Sequence, residues 1–253
     1  MNKQIEIQKK AGKILSEVMV ELMNFAKAEV TPLELDALAT KIITQKGGYP
    51  GFKKVPGYHH ATCISVNEVV VHGIPNDTKL QKGDIVSIDS GVFLDGYHTD
   101  ITETIVIGEP TKTTEQLLSV GKKTMFKAID KAVVGNRIGD ISKVIQENIE
   151  AAGYSVIRGL IGHGVGKSLH EDPEIPGYVE VPRDKTPEIK EGMVLAVEAI
   201  YAKGKNDVYV EDDDWTIATL DKSPTSVFER TIVVQKEGKP EIITPLPGDE
   251  KYR

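Results

Sequence analysis

Carboxylates recur at matched positions in two parts of the sequence. Segments 80–89 and 189–198 share one template, in which a turn with glycine leads into an apolar strand that ends in an acid. Segments 100–107 and 229–234 each begin with an acid and continue as a run of β-branched residues. The acids at these matched positions are Asp89, Asp100, Glu198 and Glu229. Such a set of oxygen ligands is typical of a site for hard divalent cations.

The sequence between Asp89 and Asp100 predicts how the first two acids are arranged. The dipeptide Asp95-Gly96, a strong hairpin signal, lies near the midpoint between them. We therefore expect Asp89 and Asp100 to face each other across a β-ladder. Like charges opposed on a sheet are destabilising, and a buried unpaired carboxylate is costly. A bound cation would remove this conflict.

A histidine in a glycine-rich segment completes the candidate ligand set. His163 lies within Gly-His-Gly-Val-Gly, residues 162–166, where the glycines permit close approach of the backbone. An imidazole among carboxylates favours zinc, iron, manganese or cobalt over calcium. These residues by themselves predict a dinuclear metallohydrolase of unknown substrate. A calcium-binding structural protein is the second interpretation, and His163 argues against it.

The acids need strands and helices to position them, and the hydrophobic pattern predicts both. The chain opens with two helices, one from Ile5 to about Lys27 and one after Thr31, an N-cap followed by Pro32. A surface loop rich in glycine and proline spans residues 47–61. The other expected elements are a strand at 63–66, further strands to Ile107, helices at about 114–133 and 138–152, and strands and loops from about Val156 onward.

The composition is that of a folded globular protein. Of 253 residues, 40% are apolar and 27% are charged, so we expect one catalytic domain, 1–253, with a sizeable core. The 38 acidic residues outnumber the 31 basic ones, which is opposite to the basic surface that direct nucleic-acid binding needs. The single cysteine, Cys63, excludes an intramolecular disulfide. With no signal-peptide pattern and no membrane-spanning apolar run, we expect a cytoplasmic protein.

Six motifs, in order along nearly the whole chain, resemble those of the type I methionine aminopeptidases. They are Val71-His72-Gly73-Ile74-Pro75, the pair Asp89 and Asp100, Gly162-His163-Gly164-Val165-Gly166, Leu169-His170-Glu171-Asp172-Pro173, Ala196-Val197-Glu198 and Phe228-Glu229-Arg230-Thr231-Ile232-Val233. Each motif alone is weak, but the ordered set is specific. The resemblance implies an α+β architecture, the pita-bread fold, in which two pseudo-symmetric halves share a central antiparallel sheet flanked by helices.

The resemblance assigns a role to each of the five candidate ligands. Asp89 would chelate one metal ion, and His163 and Glu198 would bind mainly a second. Asp100 and Glu229 would bridge the two. Two divalent ions per chain are implied, and cobalt, manganese, iron(II) and zinc all fit such ligands. A water shared by the metals would be the nucleophile, with Glu198 taking up its proton.

The resemblance also implies catalytic and substrate-binding residues outside the ligand set. His72 and His170 match two histidines proposed in that family to contact the scissile amide and to stabilise the tetrahedral intermediate. Positions that match the lining of the family's methionine pocket are Tyr58, Cys63, Leu169 and Trp215. The implied activity is removal of the initiator methionine from peptides and nascent chains. These chains would be met at the ribosome if the protein docks there, and we expect a monomer.

The chain departs from the family pattern at three places. Ala199 stands where proline is common, and Arg230 stands where histidine is common. Alternation along a strand would point Arg230 away from the metals, so we expect it to tune the site rather than abolish activity. The loop from Gly47 to His60, with paired lysines and paired histidines, also differs from the usual pocket-forming segment.

Three related classes are alternatives. Aminopeptidase P and prolidase share the fold and ligands but cleave next to proline and carry an extra N-terminal domain, for which the helix at Ile5 leaves no room. The type II methionine enzymes insert a subdomain between the ligands matching His163 and Glu198, which here are only 35 residues apart. A non-catalytic pita-bread binding module would have lost the ligands, and all five are present here.

Overall fold

The protein is described by a computed structural model that covers residues 3–252. Its helices are α1 (Lys3–Phe25), α2 (Pro32–Gln45), α3 (Lys112–Ile129) and α4 (Ile138–Ala151), with short 3-10 helices at Gly51–Lys54, Arg183–Lys185 and Asp249–Tyr252. No helix in this part of the chain is long and apolar enough to cross a membrane.

Residues 3–252 also form thirteen strands, five of them between α2 and α3 and eight after α4. They are β1 (Tyr49–Pro50), β2 (Thr62–Val66), β3 (Val69–Val71), β4 (Ile85–Leu94), β5 (Tyr97–Val106), β6 (Ser155–Val156), β7 (Ile161–Gly164), β8 (Glu171–Pro176), β9 (Val194–Ala202), β10 (Val208–Val210), β11 (Ile217–Thr219), β12 (Thr225–Val233) and β13 (Glu241–Ile242). The expected sequence of helices and strands is confirmed to within a few residues.

The start of α2 is fixed by the chemistry predicted for it. The Thr31 hydroxyl accepts a hydrogen bond from Glu34 N at 3.2 Å, and the Glu34 carboxylate accepts one from Thr31 N at 2.8 Å. This reciprocal pair is a capping box, which satisfies backbone N–H groups that the first helical turn leaves free. Pro32 occupies the first turn, where its missing N–H costs nothing.

The main sheet runs β1-β4-β5-β12-β9-β7-β8, and its paired neighbours are antiparallel. Two strand pairs, β4–β5 and β9–β12, meet at its centre. The first pair is a tight hairpin, whereas the second is joined by residues 203–224, which carry β10 and β11. Strand β11 pairs with both β10 and β3, which makes a separate three-stranded sheet.

The half-repeat in the sequence corresponds to these two strand pairs. Gly83 and Gly192 both adopt the left-handed backbone, with φ of 96° and 80°, and β4 and β9 begin two residues later. The second correspondence was only partly right. Asp100 and Glu229 lie inside β5 and β12 rather than at their starts, because each strand begins several residues earlier.

The Asp95-Gly96 hairpin is present, but the predicted pairing of acids across it was wrong by two residues. Asp95 and Gly96 both have positive φ and form a two-residue turn, so Leu94 pairs with Tyr97. Counting back from this turn, Asp89 is opposite Thr102 and Gly91 is opposite Asp100. Because side chains alternate with a period of two, Asp89 and Asp100 still share one face, as diagonal neighbours.

Helices cover the other face of the sheet. Ile88 and Ile101 point into a core that α1 and α2 complete, while Val197 and Phe228 point into one completed by α3 and α4. We call this the helix face of the sheet. The acids adjacent to these residues in sequence point to the opposite side, which we call the open face.

Candidate metal centre

Strand register places four polar residues in one row across the open face. Asp89 of β4 is opposite Thr102 of β5, Thr102 is opposite Glu229 of β12, and Glu229 is opposite Glu198 of β9. Three carboxylates and a hydroxyl therefore cross the junction between the two halves. Asp89 and Glu198, which are far apart in sequence, lie at the two ends of this row because β5 pairs with β12 between them.

The other two predicted ligands form a second row beside the first. Asp100 pairs with Gly91, two residues beyond Asp89, and His163 pairs with Ala196, two residues before Glu198. A displacement of two residues keeps a side chain on the same face of a strand. The sheet thus brings all five predicted ligands to the open face.

The centre of the cluster is compact enough for a cation. One ligand atom each from Asp100, His163 and Glu229 lies within 4.8 Å of the others, and all three residues are buried. His163 Nε2 is 4.0 Å from Asp100 Oδ2. Its Nδ1 is 2.9 Å from the Gly164 carbonyl, which places the ring proton on Nδ1 and leaves the Nε2 lone pair facing the carboxylates.

The carboxylates carry more negative charge than the open face can neutralise. Removal from water raises the pKa of Asp89 to about 7, an effect that contacts with Thr102 and Asp100 only partly oppose. It also raises the pKa of Glu229 to about 8, with nearby Asp89 adding to the rise. The pKa values of Asp100 and Glu198 are raised as well, by burial first and by neighbouring carboxylates second.

A hydrogen-bond deficit points to the same conclusion. Asp89 Oδ1 is buried and has no hydrogen-bond partner among residues 3–252. The Glu229 carboxylate is better placed, since Thr102 Oγ1 donates to its Oε2 at 2.9 Å. A buried, unpartnered carboxylate oxygen beside three other acids and a neutral imidazole fits the donor set of a divalent cation site.

The five predicted ligands line a cleft of about 500 Å³. His72 lies on its wall with a left-handed backbone, φ 58°, and burial lowers its pKa, as does the proximity of His170. His170 is exposed to the cleft, and its ring stands edge-on to His163 with centroids 4.4 Å apart. Both histidines therefore lie beside the ligand cluster, as the resemblance implied.

A cavity of about 90 Å³ opens next to the cleft. The four predicted pocket residues, Tyr58, Cys63, Leu169 and Trp215, all line it. The Tyr58 and Trp215 rings meet at an angle, with centroids 5.0 Å apart, and the Tyr58 hydroxyl is 3.1 Å from Cys63 Sγ. His72, Asp89, Asp100 and His170 line both the cavity and the cleft, so the two spaces meet at the ligand cluster.

Sequence reasoning missed part of this lining. Phe52 and Val55 line the cavity, and Ile74 packs against the same apolar cluster. The first two lie in the predicted surface loop, which instead forms a 3-10 helix with Phe52 buried. An aromatic residue among glycines, in Gly51-Phe52, was the available signal.

Ala199 and Arg230, the two positions at which single residues differ from the family pattern, both lie on the helix face. Ala199 is fully buried in the core beneath α3 and α4. Arg230 is fully buried too, and its guanidinium bonds to Glu103 and Asp249 rather than to any predicted ligand side chain. The expectation that Arg230 points away from the ligand cluster is confirmed.

The sequence matches metallopeptidase family M24 over residues 6–236. The chain belongs to this family. Membership makes the protein a hydrolase that works with divalent metal, and the Asp100, His163 and Glu229 cluster fits that requirement.

Similar proteins within family M24 narrow the comparison. The chain is 42% identical to a methionine aminopeptidase of Clostridium perfringens, over 95% of this chain and 96% of the relative. The crystal structure of a methionine aminopeptidase from Thermotoga maritima matches with a TM-score of 0.92 and 38% identity, over 96% of this chain and 97% of that one. The expected pita-bread architecture is confirmed.

The prolidase branch shares the fold at lower similarity. Prolidase from Pyrococcus furiosus matches with a TM-score of 0.78 and 23% identity, over 97% of this chain but 64% of that one. At this identity the likeness establishes the fold alone.

Proposed function

We propose that this protein is a methionine aminopeptidase that removes the initiator methionine from peptides and nascent proteins. The observation that carries the proposal is that the apolar cavity meets the cluster of predicted ligands at His72, Asp89, Asp100 and His170. A side chain seated in the cavity has its own backbone beside the ligand cluster. That is the arrangement needed to cleave the bond after one N-terminal residue.

Two divalent cations fit the five carboxylate and imidazole ligands. Asp89 would hold one, His163 and Glu198 would hold mainly the second, and Asp100 and Glu229 would bridge them. When bound, such ions supply Lewis acidity and an activated water for attack on the scissile carbonyl. The carboxylate row supplies the negative charge that holds them.

Three residues would handle the proton and the developing charge. Glu198 accepts the proton of the attacking water, a role suited to a carboxylate at the edge of the row with a raised pKa. His72 and His170 face the cleft and would donate hydrogen bonds to the amide and to the tetrahedral intermediate. Burial lowers the pKa of His72 and favours its neutral form, so this histidine donates a hydrogen bond without adding a charge that repels the cations.

The cavity provides the selection for methionine. It is narrow, and its lining joins the Phe52, Tyr58 and Trp215 rings to Cys63 and Leu169. A thioether contacts aromatic rings favourably, and an unbranched side chain fits a narrow cavity better than a branched one. Polar or β-branched first residues would lose these contacts.

The expected domain organisation, monomeric state, cytoplasmic location and ribosome docking stay predictions. Size-exclusion chromatography with light scattering tests the first two together, because one folded monomer has a single mass and a compact radius. Co-sedimentation with ribosomes tests docking.

Release of free methionine from Met-Ala-Ser and Met-Gly peptides tests the proposed activity. Metal-stripped protein is resupplied with manganese, cobalt or iron(II), and Ala-Ala-Ser serves as the matched control peptide. We expect metal-dependent release from the methionine peptides and little from the control. Cleavage of Xaa-Pro peptides alone would transfer the protein to the prolidase branch, and bound metal with no cleavage of any peptide would indicate a binding module.

A further inference from the structure

The two halves of the sheet meet at an irregular seam between β5 and β12. The β9–β12 ladder pairs every residue from Thr225 to Val233, but the β5–β12 ladder pairs only Glu229 with Thr102 and Arg230 with Ile101. The strands that carry Asp100 and Glu229 are therefore joined by little regular backbone pairing.

Threonine hydroxyls replace backbone bonds on both sides of this short ladder. Thr231 Oγ1 accepts from Asp100 N at 2.9 Å and donates to Asp100 O at 2.7 Å. Thr104 Oγ1 donates to Val227 O at 2.6 Å and accepts from Val227 N at 3.0 Å. A hydroxyl placed between two strands spaces them further apart than a direct N–H to carbonyl bond would. The seam needs another constraint at its centre.

Arg230 supplies a constraint from the helix face. Its Nη1 donates to the Thr102 carbonyl at 3.2 Å and to the Glu229 carbonyl at 2.8 Å, so one group bonds to both strands. On the open face, Thr102 Oγ1 donates to the Glu229 carboxylate at 2.9 Å. Thr102 and Glu229 are thus linked on both faces of the sheet.

The rest of the guanidinium is anchored by two buried acids. Asp249 receives Nε at 2.9 Å and Nη2 at 3.0 Å in a two-pronged pair, and Glu103 receives Nη2 at 2.6 Å. Lys122 of α3 donates to Glu103 at 2.7 Å and lies 3.5 Å from Asp249. Two cations and two anions balance, and every prong of the guanidinium has a partner, as burial requires.

We propose that Arg230 is a positioning residue that holds the β5–β12 seam in register, so that Asp100 and Glu229 converge on the same cation. The inference rests on the metal site of the proposed function. Its distinctive feature is geometric: the guanidinium fork ties the C-terminal Asp249 to the backbone of Glu229. A lysine can keep the charge of Arg230, but its single ammonium lacks the fork that reaches both acids and both carbonyls at once.

The test compares Arg230→Lys with wild-type protein in Mn²⁺ binding, measured by calorimetry and by electron paramagnetic resonance. Arg137→Lys is the matched control, because Arg137 also donates to a backbone carbonyl and to a carboxylate, at Thr186 and Glu188. We expect Arg230→Lys to bind Mn²⁺ about 10- to 100-fold more weakly and to lose the spectrum of a magnetically coupled ion pair. Arg137→Lys should retain both. Temperatures are chosen at which circular dichroism shows every variant folded.

Asp249→Asn keeps Arg230 and weakens only its anchor, so it serves if Arg230→Lys does not fold. We expect it to shift Mn²⁺ affinity in the same direction by a smaller factor and to reduce the coupled spectrum. A folded variant at either position that binds Mn²⁺ and couples the ions as wild type does would overturn the positioning role. If wild-type protein itself binds no Mn²⁺, the proposed function fails and this inference with it; normal wild-type binding with unaffected variants refutes only the inference.

Discussion

The two faces of β5 and β12 bury charge in opposite ways. Thr102 and Glu229 point to the open face, while their chain neighbours Glu103 and Arg230 point to the helix face. On the helix face, each buried acid has a buried cation beside it. On the open face, four carboxylates gather in a cleft that no lysine or arginine lines among the described residues.

This difference distinguishes a charge cluster that stabilises the fold, on the helix face, from one suited to binding a cation, on the open face. The helix-face cluster is balanced: burial alone would lower the pKa of Arg230, but Glu103 and Asp249 outweigh burial and raise it. The open-face cluster is unbalanced: burial raises the pKa values of Asp89 and Glu229, and the charge of Asp89 adds to the rise at Glu229. A cluster that cannot be neutralised from within the chain indicates a ligand from outside it.

We expect the largest effect from removing Glu229, the carboxylate of β12 that is proposed to bridge the two cations. Glu229→Gln should abolish methionine release and weaken Mn²⁺ binding by more than about 100-fold, since even outer contacts of a metal ligand contribute 10- to 100-fold. Calorimetry and the peptide assay measure the two losses together. Asp95→Asn, an acid-to-amide change at the tip of the hairpin, is the control. Normal metal binding by Glu229→Gln would refute the bridging assignment.

The same acid-to-amide change should have opposite effects on the two faces of the metal-free protein. Glu103→Gln leaves the helix-face cations underneutralised and should lower the free energy of unfolding by about 3–5 kcal/mol. Glu198→Gln removes one of four mutually repelling carboxylates, so we expect the free energy of unfolding not to fall. Urea denaturation with a chelator present measures both. Equal destabilisation would show that the open-face cluster is balanced after all.

The role proposed for His170 predicts that its loss lowers turnover without affecting metal binding. Replacing His170 by alanine should lower kcat about 100- to 1000-fold, the usual loss when one donor to a developing oxyanion is removed, with Mn²⁺ affinity unchanged. His59→Ala, which changes an exposed histidine outside the cleft, is the control. Loss of metal from His170→Ala would make His170 a ligand instead.

Metal and protons should compete on the open face. Carboxyl groups titrate near pH 4 in the unfolded chain, whereas the pKa values of Asp89 and Glu229 in the folded chain are about 7 and about 8. These two groups therefore hold protons in the folded metal-free protein that unfolding releases, so we expect their contribution to its stability to fall as pH rises from about 4 to 8. Bound metal replaces these protons and should add about 2.7 kcal/mol at 100 times its dissociation constant.

Thermal unfolding with and without Mn²⁺ at pH 6 and pH 8 measures this competition. We expect the stabilisation by Mn²⁺ at a fixed concentration to be greater at pH 8, where fewer protons oppose binding. Stabilisation independent of pH would mean that the carboxyl groups are already ionised in the metal-free protein.

The smallest effect concerns the cavity. Trp215→Ala should raise KM for methionine peptides about 2- to 10-fold with little change in kcat, because a sulfur–aromatic contact contributes only about 0.3–1.5 kcal/mol. Trp215→Phe retains an aromatic ring, so its KM should lie between those of wild-type protein and Trp215→Ala. Steady-state kinetics on Met-Ala-Ser decides, and an unchanged KM would place the methionine side chain elsewhere.

The sequence indicated the four acids of the open face because they follow a repeat, whereas His163 was predicted from its glycine-rich motif; metal binding by these residues stays a prediction. The acid six residues beyond Gly83 and the acid six residues beyond Gly192 occupy equivalent places on β4 and β9. The register of β4 and β5 was harder to predict. Residue pairs must be counted outward from the ends of the two-residue Asp95-Gly96 turn, and that turn is not centred between Asp89 and Asp100. Because the predicted pairing was wrong by two residues, it kept Asp89 and Asp100 on the correct face of the sheet and was wrong only about which residue lies opposite each.

The pocket and the helix-face cluster depend on contacts that no local pattern encodes. Phe52 and Trp215 line the same cavity because the connection between β10 and β11 of the small sheet carries Trp215 to it. There Asp213 Oδ1 accepts a hydrogen bond from the Trp215 backbone N at 2.9 Å. Arg230 meets Asp249 only after the 3-10 helix at Asp249–Tyr252 packs against the sheet, and Lys122 reaches Glu103 and Asp249 only after α3 does. Alternation predicted which way Arg230 points but not what it would find there.

The connection between β9 and β12 has a consequence for how this enzyme can be altered. Its counterpart in the first half is a two-residue turn, whereas residues 203–224 reach the rim of the cavity and contribute Trp215 but none of the five ligands. On the proposed function, one wall of the selective cavity therefore belongs to a stretch of chain that holds no predicted ligand. Libraries confined to this connection should alter first-residue preference through the Trp215 side of the cavity while every predicted ligand is retained.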